Sequence, residues 1–355
     1  MKLHPLHLVL GIALSMGSLP AHASGTTYDL FLTSEGNGNT TANIYEASAT
    51  VGPTFSLGSL QPIAATGAGT SAGGIAVNPN DGQLLVGGGD PSLGQFPDPM
   101  YQVNPTTGAI SSFSVPSGGV SANNIAVDPS GNTVWATGGD FAGTGQLASA
   151  PINPMGGPGS EVNVTGSDTS ISSLAFDPRN STWYYTSMSA FGSSGDFGTI
   201  NPRTGVTTAL LTNQPGMYDA AYDPFTGDMI AAGGHIINQI GPTGVLLSQL
   251  DISGGLVFGP GYDLVQVAPT GAGQIFLTTG IGGTNTDQLL YFDYSQSGQV
   301  GNYSSDANIG VGKPLYGVTV APVPIPHSLA LFVSGLGILG MQVRGRKQRK
   351  TRAAR

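Results

Sequence analysis

The sequence predicts an all-β fold, a six-bladed β-propeller closed by pairing of its N- and C-terminal strands, followed by a C-terminal hydrophobic helix. Three observations predict it. Glycine, at 56, and proline, at 25, are abundant in a chain of 355 residues; they are the two poorest helix formers, so helical bundles and coiled coils are excluded. A short apolar phrase ending in proline recurs six times. Its prolines, at positions 79, 129, 178, 224, 269 and 322, are 50, 49, 46, 45 and 53 residues apart, the length of four short strands with their turns.

The phrases are Ile75-Ala76-Val77-Asn78-Pro79, Ile125-Ala126-Val127-Asp128-Pro129, Leu174-Ala175-Phe176-Asp177-Pro178 and Ala220-Ala221-Tyr222-Asp223-Pro224, with weaker copies at Val265–Pro269 and Val318–Pro322. Each is a short apolar run, suited to a strand buried on both faces. The Asx side chain then bonds nearby backbone and proline presets the turn. A second strand follows: Gln83–Val86, Thr133–Ala136, Thr182–Tyr185 or Asp228–Ala231. A second turn phrase comes later, as Asn104-Pro105-Thr106-Thr107-Gly108, Asn153-Pro154, Asn201-Pro202-Arg203-Thr204-Gly205 and Pro242-Thr243-Gly244. Spacing between the two turns varies mainly in the loop joining second and third strands, where length change is tolerated.

Five units start at residues 75, 125, 174, 220 and 265. The sixth phrase has no room for further strands. The N-terminal part supplies strands without a first one: Tyr28–Leu32, Asn43–Ala47 and Thr54–Leu57. We therefore expect Val318–Val320 to complete the blade begun by residues 28–60, removing two exposed sheet edges. The spacing also admits a seven-bladed ring or a pair of β-sandwiches. The order strand, Asp-Pro, strand, Pro-x-Thr-Gly resembles the broad YVTN/NHL-like class of propellers, which implies a ring fold and no single activity.

Both ends read as addresses. Lys2, the apolar run Leu8–Leu14 and Pro20-Ala21-His22-Ala23 make a secretory signal over 1–23, with cleavage expected after Ala23 and passage through the Sec export machinery. The propeller domain is expected over 24–322. Residues 323–355 carry three parts in order: Val323-Pro324-Ile325-Pro326, an uncharged stretch 328–343, and a basic tail 344–355 holding seven of the 11 Lys and Arg. A helix over 328–343 spans about 24 Å, slightly under the roughly 30 Å hydrocarbon core, and the basic tail would hold its end on the cytoplasmic side. This order resembles the PEP-CTERM sorting signal, with Ile325 where the family usually has glutamate. The resemblance implies recognition by an exosortase, transient inner-membrane anchoring through the tail, its removal, and release to the cell surface or extracellular matrix of a Gram-negative bacterium. A permanent C-terminal anchor is the alternative reading of the same segment.

The formal net charge of −9 hides a far more acidic body. All 20 acidic residues fall between Asp29 and Asp306, against Arg179, Arg203 and Lys313. Such a body repels phosphates, so nucleic acid is excluded as a partner, and it attracts cations. Cysteine is absent, which excludes disulfides, thiol nucleophiles and cysteine metal sites.

Candidate ligand or cation ligands fall on the face carrying the second-to-third and fourth-to-first strand loops. Second strands end in Gly87-Gly88-Gly89-Asp90, Gly138-Gly139-Asp140 and Gly233-Gly234-His235. Asp90, Asp140 and His235 thus occupy one blade slot. Tyr218-Asp219 and Tyr262-Asp263 precede innermost strands on that face, and Asp168, Asp196 and Asp287 lie in its loops. Aspartate oxygens at several angles suit calcium, with Asp90 and Asp140 the metal candidates; aspartate after glycine is equally ordinary turn chemistry. His235 is the single histidine of the body, which rules out a three-histidine metal site. Trp135, Trp183, Tyr184 and Tyr185 sit in strands and are expected to pack between blades. The sequence therefore predicts a non-enzymatic binding or structural protein, with extracellular polysaccharide a candidate partner. The alternative is a calcium-assisted extracellular hydrolase or lyase acting on polysaccharide or lactone through Asp90, Asp140 and His235.

Overall fold

The computed structural model describes residues 25–34, 41–52, 54–67, 72–88, 99–114, 124–137, 146–152, 159–168, 171–187, 194–253, 263–280, 288–312 and 315–321. The expected signal at 1–23, Asp90, Asp140, Tyr262, Asp287, and the whole sorting segment with Val323, Pro324, Pro326 and 328–343 lie outside these residues. Among the described residues no helix is long and apolar enough to cross a membrane.

Six sheets, antiparallel apart from one two-residue strand, form six blades. In the first, β1 (Thr26–Ser34) pairs with β2 (Asn43–Val51), and β3 (Ser56–Leu57) and β4 (Gln61–Ala65) both pair with β2. The second is β5 (Ile75–Val77), β6 (Leu84–Val86), β7 (Pro99–Val103) and β8 (Ile110–Ser114). The third is β9 (Asn124–Val127), β10 (Thr133–Thr137), β11 (Gln146–Pro151) and β12 (Ser160–Asn163). In the fourth, β14 (Ser173–Asp177), β15 (Thr182–Thr186), β16 (Gly195–Asn201) and β17 (Val206–Gln214) are joined by the two-residue β13 (Thr165–Gly166), parallel to β17. The fifth is β18 (Asp219–Tyr222), β19 (Met229–Gly233), β20 (Ile236–Ile240) and β21 (Leu246–Asp251). The sixth is β22 (Asp263–Pro269), β23 (Gln274–Gly280), β24 (Gln288–Asp293) and β25 (Ser305–Gly310).

The last strand, β26 (Leu315–Val320), completes the first blade. It pairs antiparallel with β1, with Leu30 opposite Val320, Phe31 opposite Thr319 and Leu32 opposite Val318. The innermost strands touch in the cyclic order β26, β5, β9, β14, β18, β22 and back to β26. The ring is closed, six blades are present, and the closure is the expected one.

The core is divided into six clusters, one in each gap between neighbouring blades. Second strands explain why. In β10, Val134 and Ala136 point into the gap with the second blade, while Trp135 points into the gap with the fourth. In β15, Tyr184 serves the gap with the fifth blade and Tyr185 the gap with the third. Side chains alternate along a strand, and both faces are buried, so these strands read as unbroken apolar runs. Trp183 is half-buried: it packs against the cluster between the third and fourth blades, lies on Phe176 at a centroid distance of 5.1 Å, and also reaches the channel mouth.

Turns between first and second strands follow the predicted Asx chemistry. The side chains of Asn78, Asp128, Asp177 and Asp223 accept from the backbone N–H two residues on, at 3.1, 2.8, 2.9 and 3.0 Å. Blade six differs. Its phrase was expected to end in a turn at Pro269, but Pro269 is the last residue of β22 and lies opposite Ile275. An irregularity between Leu264 and Gln266 inserts one residue into β22, and Thr270 replaces the Asx, accepting from the Ala272 N–H at 3.2 Å.

Candidate functional site

The innermost strands enclose a central cavity of about 420 Å³, lined by residues from all six blades. One end is formed by residues that open these strands. Asn124, Ser173, Asp219 and Gln266 occupy one level of the ring, each opposite the end of its own second strand: Thr137, Thr186, Ala232 and Thr278. All four are buried.

Their side chains reach across the ring. Asp219 Oδ1 accepts from Asn124 Nδ2 at 2.6 Å and from Ser173 Oγ at 2.7 Å, and Oδ2 accepts from the Val267 N–H at 2.8 Å. Gln266 Oε1 accepts from the N–H groups of Val318 at 3.0 Å and Ile75 at 3.3 Å, and its Nε2 donates to the Ile75 carbonyl. Every innermost strand is the edge of its sheet, with unpaired peptide groups. This collar satisfies several of them and closes that end of the channel. Burial pushes the Asp219 carboxyl up to about 6, against the opposing effect of its Ser173, Val267 and Asn124 hydrogen bonds.

A second set of contacts reinforces the collar. Threonine hydroxyls at or near the ends of second strands donate to carbonyls of the next blade, just before its innermost strand in three cases and within β26 in the fourth. Thr33 reaches Gly73 at 2.7 Å, Thr137 reaches Ser172 at 2.8 Å, Thr186 reaches Tyr218 at 3.2 Å, and Thr278 reaches Tyr316. Beyond this layer the Tyr218 and Tyr316 hydroxyls meet at 2.8 Å.

The other end lies at the proline turns. Val77, Val127, Phe176, Trp183, Tyr222 and Val320 there are half-buried, in contrast to the buried collar. The cavity therefore opens on this side.

Of the sequence candidates among the described residues, Asp219 is the one placed in the cavity wall. Asp263 lies at the start of β22, opposite Gly280 and three residues before Gln266, which takes the level of Asp219. His235 sits in the tight turn between β19 and β20, where its carbonyl accepts from the Ile252 N–H at 3.0 Å and its buried Nδ1 has no partner. It neighbours Asp251, whose carboxyl is held below the usual range first by Ser253 and in smaller part by His235. Asp168 and Asp196 bond within the fourth blade, Asp168 through Thr207 and Asp196 through the Asn213 N–H. Among the described residues no three His, Asp or Glu side chains form a metal-holding group. Sequence reasoning missed Asn124, Ser173, Gln266 and the four threonines. For Asn124 and Ser173 the signal was the residue just before the apolar phrase, and for the threonines their place at or near the end of four of the six second strands.

No protein-family description matches the chain, and no curated protein matches it. Among solved structures it is similar to a chain of a nidogen/laminin complex, with TM-score 0.56 and 14% identity over 83% of this chain and 98% of that one. A functionally unknown protein from Desulfotomaculum acetoxidans DSM 771 aligns with TM-score 0.49 and 16% identity, over 82% and 89%. At such identity the first likeness speaks to fold alone. The chain is a six-bladed β-propeller.

Proposed function

We propose that this propeller is an exported binding or structural protein of the cell surface or extracellular matrix of a Gram-negative bacterium. It is delivered through the Sec machinery and released by an exosortase. The observation that carries this reading is how the described strands close on one another. Among the described residues all strands lie between Thr26 and Val320, and β1 and β26 meet where the Ala321 N–H donates to the Asp29 carbonyl at 2.9 Å. Removing a leader over 1–23 and a sorting tail over 323–355 would take away none of the described strands. The strand ends that lead into the second-to-third and fourth-to-first connections share one face of the ring, and this face is the proposed contact surface for extracellular polysaccharide. The acidic body favours solubility outside the cell.

The test is fractionation with intact-mass measurement of the full chain in a Gram-negative host that carries an exosortase. A mature form beginning at Ser24 and lacking the basic tail is expected outside the inner membrane. Substituting both Pro324 and Pro326 by alanine should leave the tail attached and the protein in the membrane. Full-length chain in the cytoplasm would overturn the proposal.

A further inference from the structure

We propose that the central cavity binds a small organic cation with an apolar body, of the alkylammonium class, its ammonium at the Asp219 end and its body between the innermost strands. This site is separate from the loop face and does not depend on where the protein is delivered.

Charge is the first argument. Among the described residues lining the cavity, Asp219 is the one with a formal charge. It is 3% exposed, and its three donors are Asn124, Ser173 and the Val267 N–H, all neutral. A buried carboxylate without a cationic partner is costly, and a bound ammonium supplies that partner. Arg179 does not compete, because its guanidinium is paired with Asp177 at 3.0 Å out by the turn. Shape and polarity give the second argument. The wall is mostly Ala, Val, Ile and Leu, with Phe176, Trp183 and Tyr222 at the open end, and about 420 Å³ lies within the usual range for small-ligand pockets. Peptide carbonyls on the strand edges offer acceptors to ammonium N–H groups. Other occupants fit worse. An anion meets only negative charge. A bare calcium ion needs six to eight oxygens, which an apolar wall lacks. A neutral apolar molecule fills the space and leaves Asp219 uncompensated.

The experiment uses fluorescence. Trp135 and Trp183 are the chain's two tryptophans, so Trp135→Phe leaves Trp183, at the cavity mouth, as sole reporter. This protein is titrated in parallel with hexylammonium chloride, 1-hexanol and sodium hexanoate. Hexylammonium should shift Trp183 emission saturably, hexanol should bind about tenfold or more weakly, and hexanoate should have no effect. Adding Asp219→Asn should bring hexylammonium and hexanol to within about twofold of each other. Thr319→Phe, which narrows the cavity without touching the collar, should abolish the response while far-ultraviolet circular dichroism is unchanged. Equal response to hexylammonium and hexanol in the Trp135→Phe protein, or no response to either, overturns the proposal without reference to the other variants.

Discussion

The two ends of the channel are built on opposite principles. At the proline turns, polar side chains bond their own neighbourhood: Asp128 accepts from Ser130, and Asn104 from Thr106 and Thr107, two or three residues away. At the collar, the partners of Asp219 are 46, 48 and 95 residues away, and Gln266 reaches Ile75 across 191. One end is built mainly from local turns, with a few links between blades, as where Tyr294 donates to Asp223 at 2.8 Å and Asn80 to the Ser130 carbonyl. The other is a network that exists only once six blades stand in a ring. The comparison teaches that blade formation and ring formation use different interactions, so they can be disturbed separately.

The largest disturbance removes a strand common to both ends. Deleting 315–320 takes away β26 with buried Leu315, Tyr316 and Val318. At about 1.5–3 kcal/mol per buried side chain, the loss is comparable with the whole stability of a domain, roughly 5–15 kcal/mol. Calorimetry should show the cooperative melting transition lost or broadened.

A collar-only lesion comes next. Asp219→Ala leaves Asn124, Ser173 and the Val267 N–H without their acceptor and should cost about 4 kcal/mol in urea unfolding. The same residue gives the collar a pH signature. Its carboxyl lies near 6 in the fold against an ordinary 3.8, so between these values the folded state binds more protons than the unfolded. The Asp219 contribution is greatest below pH about 4, falls as pH rises through about 6, and is flat above, a span of about 3 kcal/mol. The stability difference between the natural protein and Asp219→Asn should follow that curve.

Smaller effects separate the two ends further. Thr137→Val keeps the shape, removes the hydroxyl that reaches Ser172 in the next blade, and should cost about 1.5 kcal/mol. Asn104→Ala strips one exposed turn of its two Asx bonds and should cost about 1 kcal/mol. Hydrogen exchange sharpens the contrast. Asn104→Ala should raise exchange in its own blade alone, and Thr137→Val should raise it in both the third and fourth blades.

The same contrast explains what could be read in the sequence. Blade number, the closing strand and the Asx turns follow from spacings and from contacts within a few residues, so they were legible. The level of Asp219 was legible too, but its neighbours on that level were not. Gln266 is displaced by the extra residue in β22, which breaks the alignment to Pro269. Asn124 and Ser173 look like loop residues beside an apolar run until the ring sets them opposite Asp219. The threonines at or near the ends of the second strands look like ordinary strand residues until the next blade brings a carbonyl to each.

The meeting of Asp29 with Ala321 has a mechanical consequence. Strands β1 and β26 are antiparallel with Leu30 opposite Val320, so the outer ends of both emerge from the same extremity of their shared ladder. A pull that draws residue 26 from residue 320 loads the hydrogen bonds one after another, like opening a zip, instead of shearing them together. The seam yields at low force, and a tug on a tethered tail would start there while the other five wedges still held.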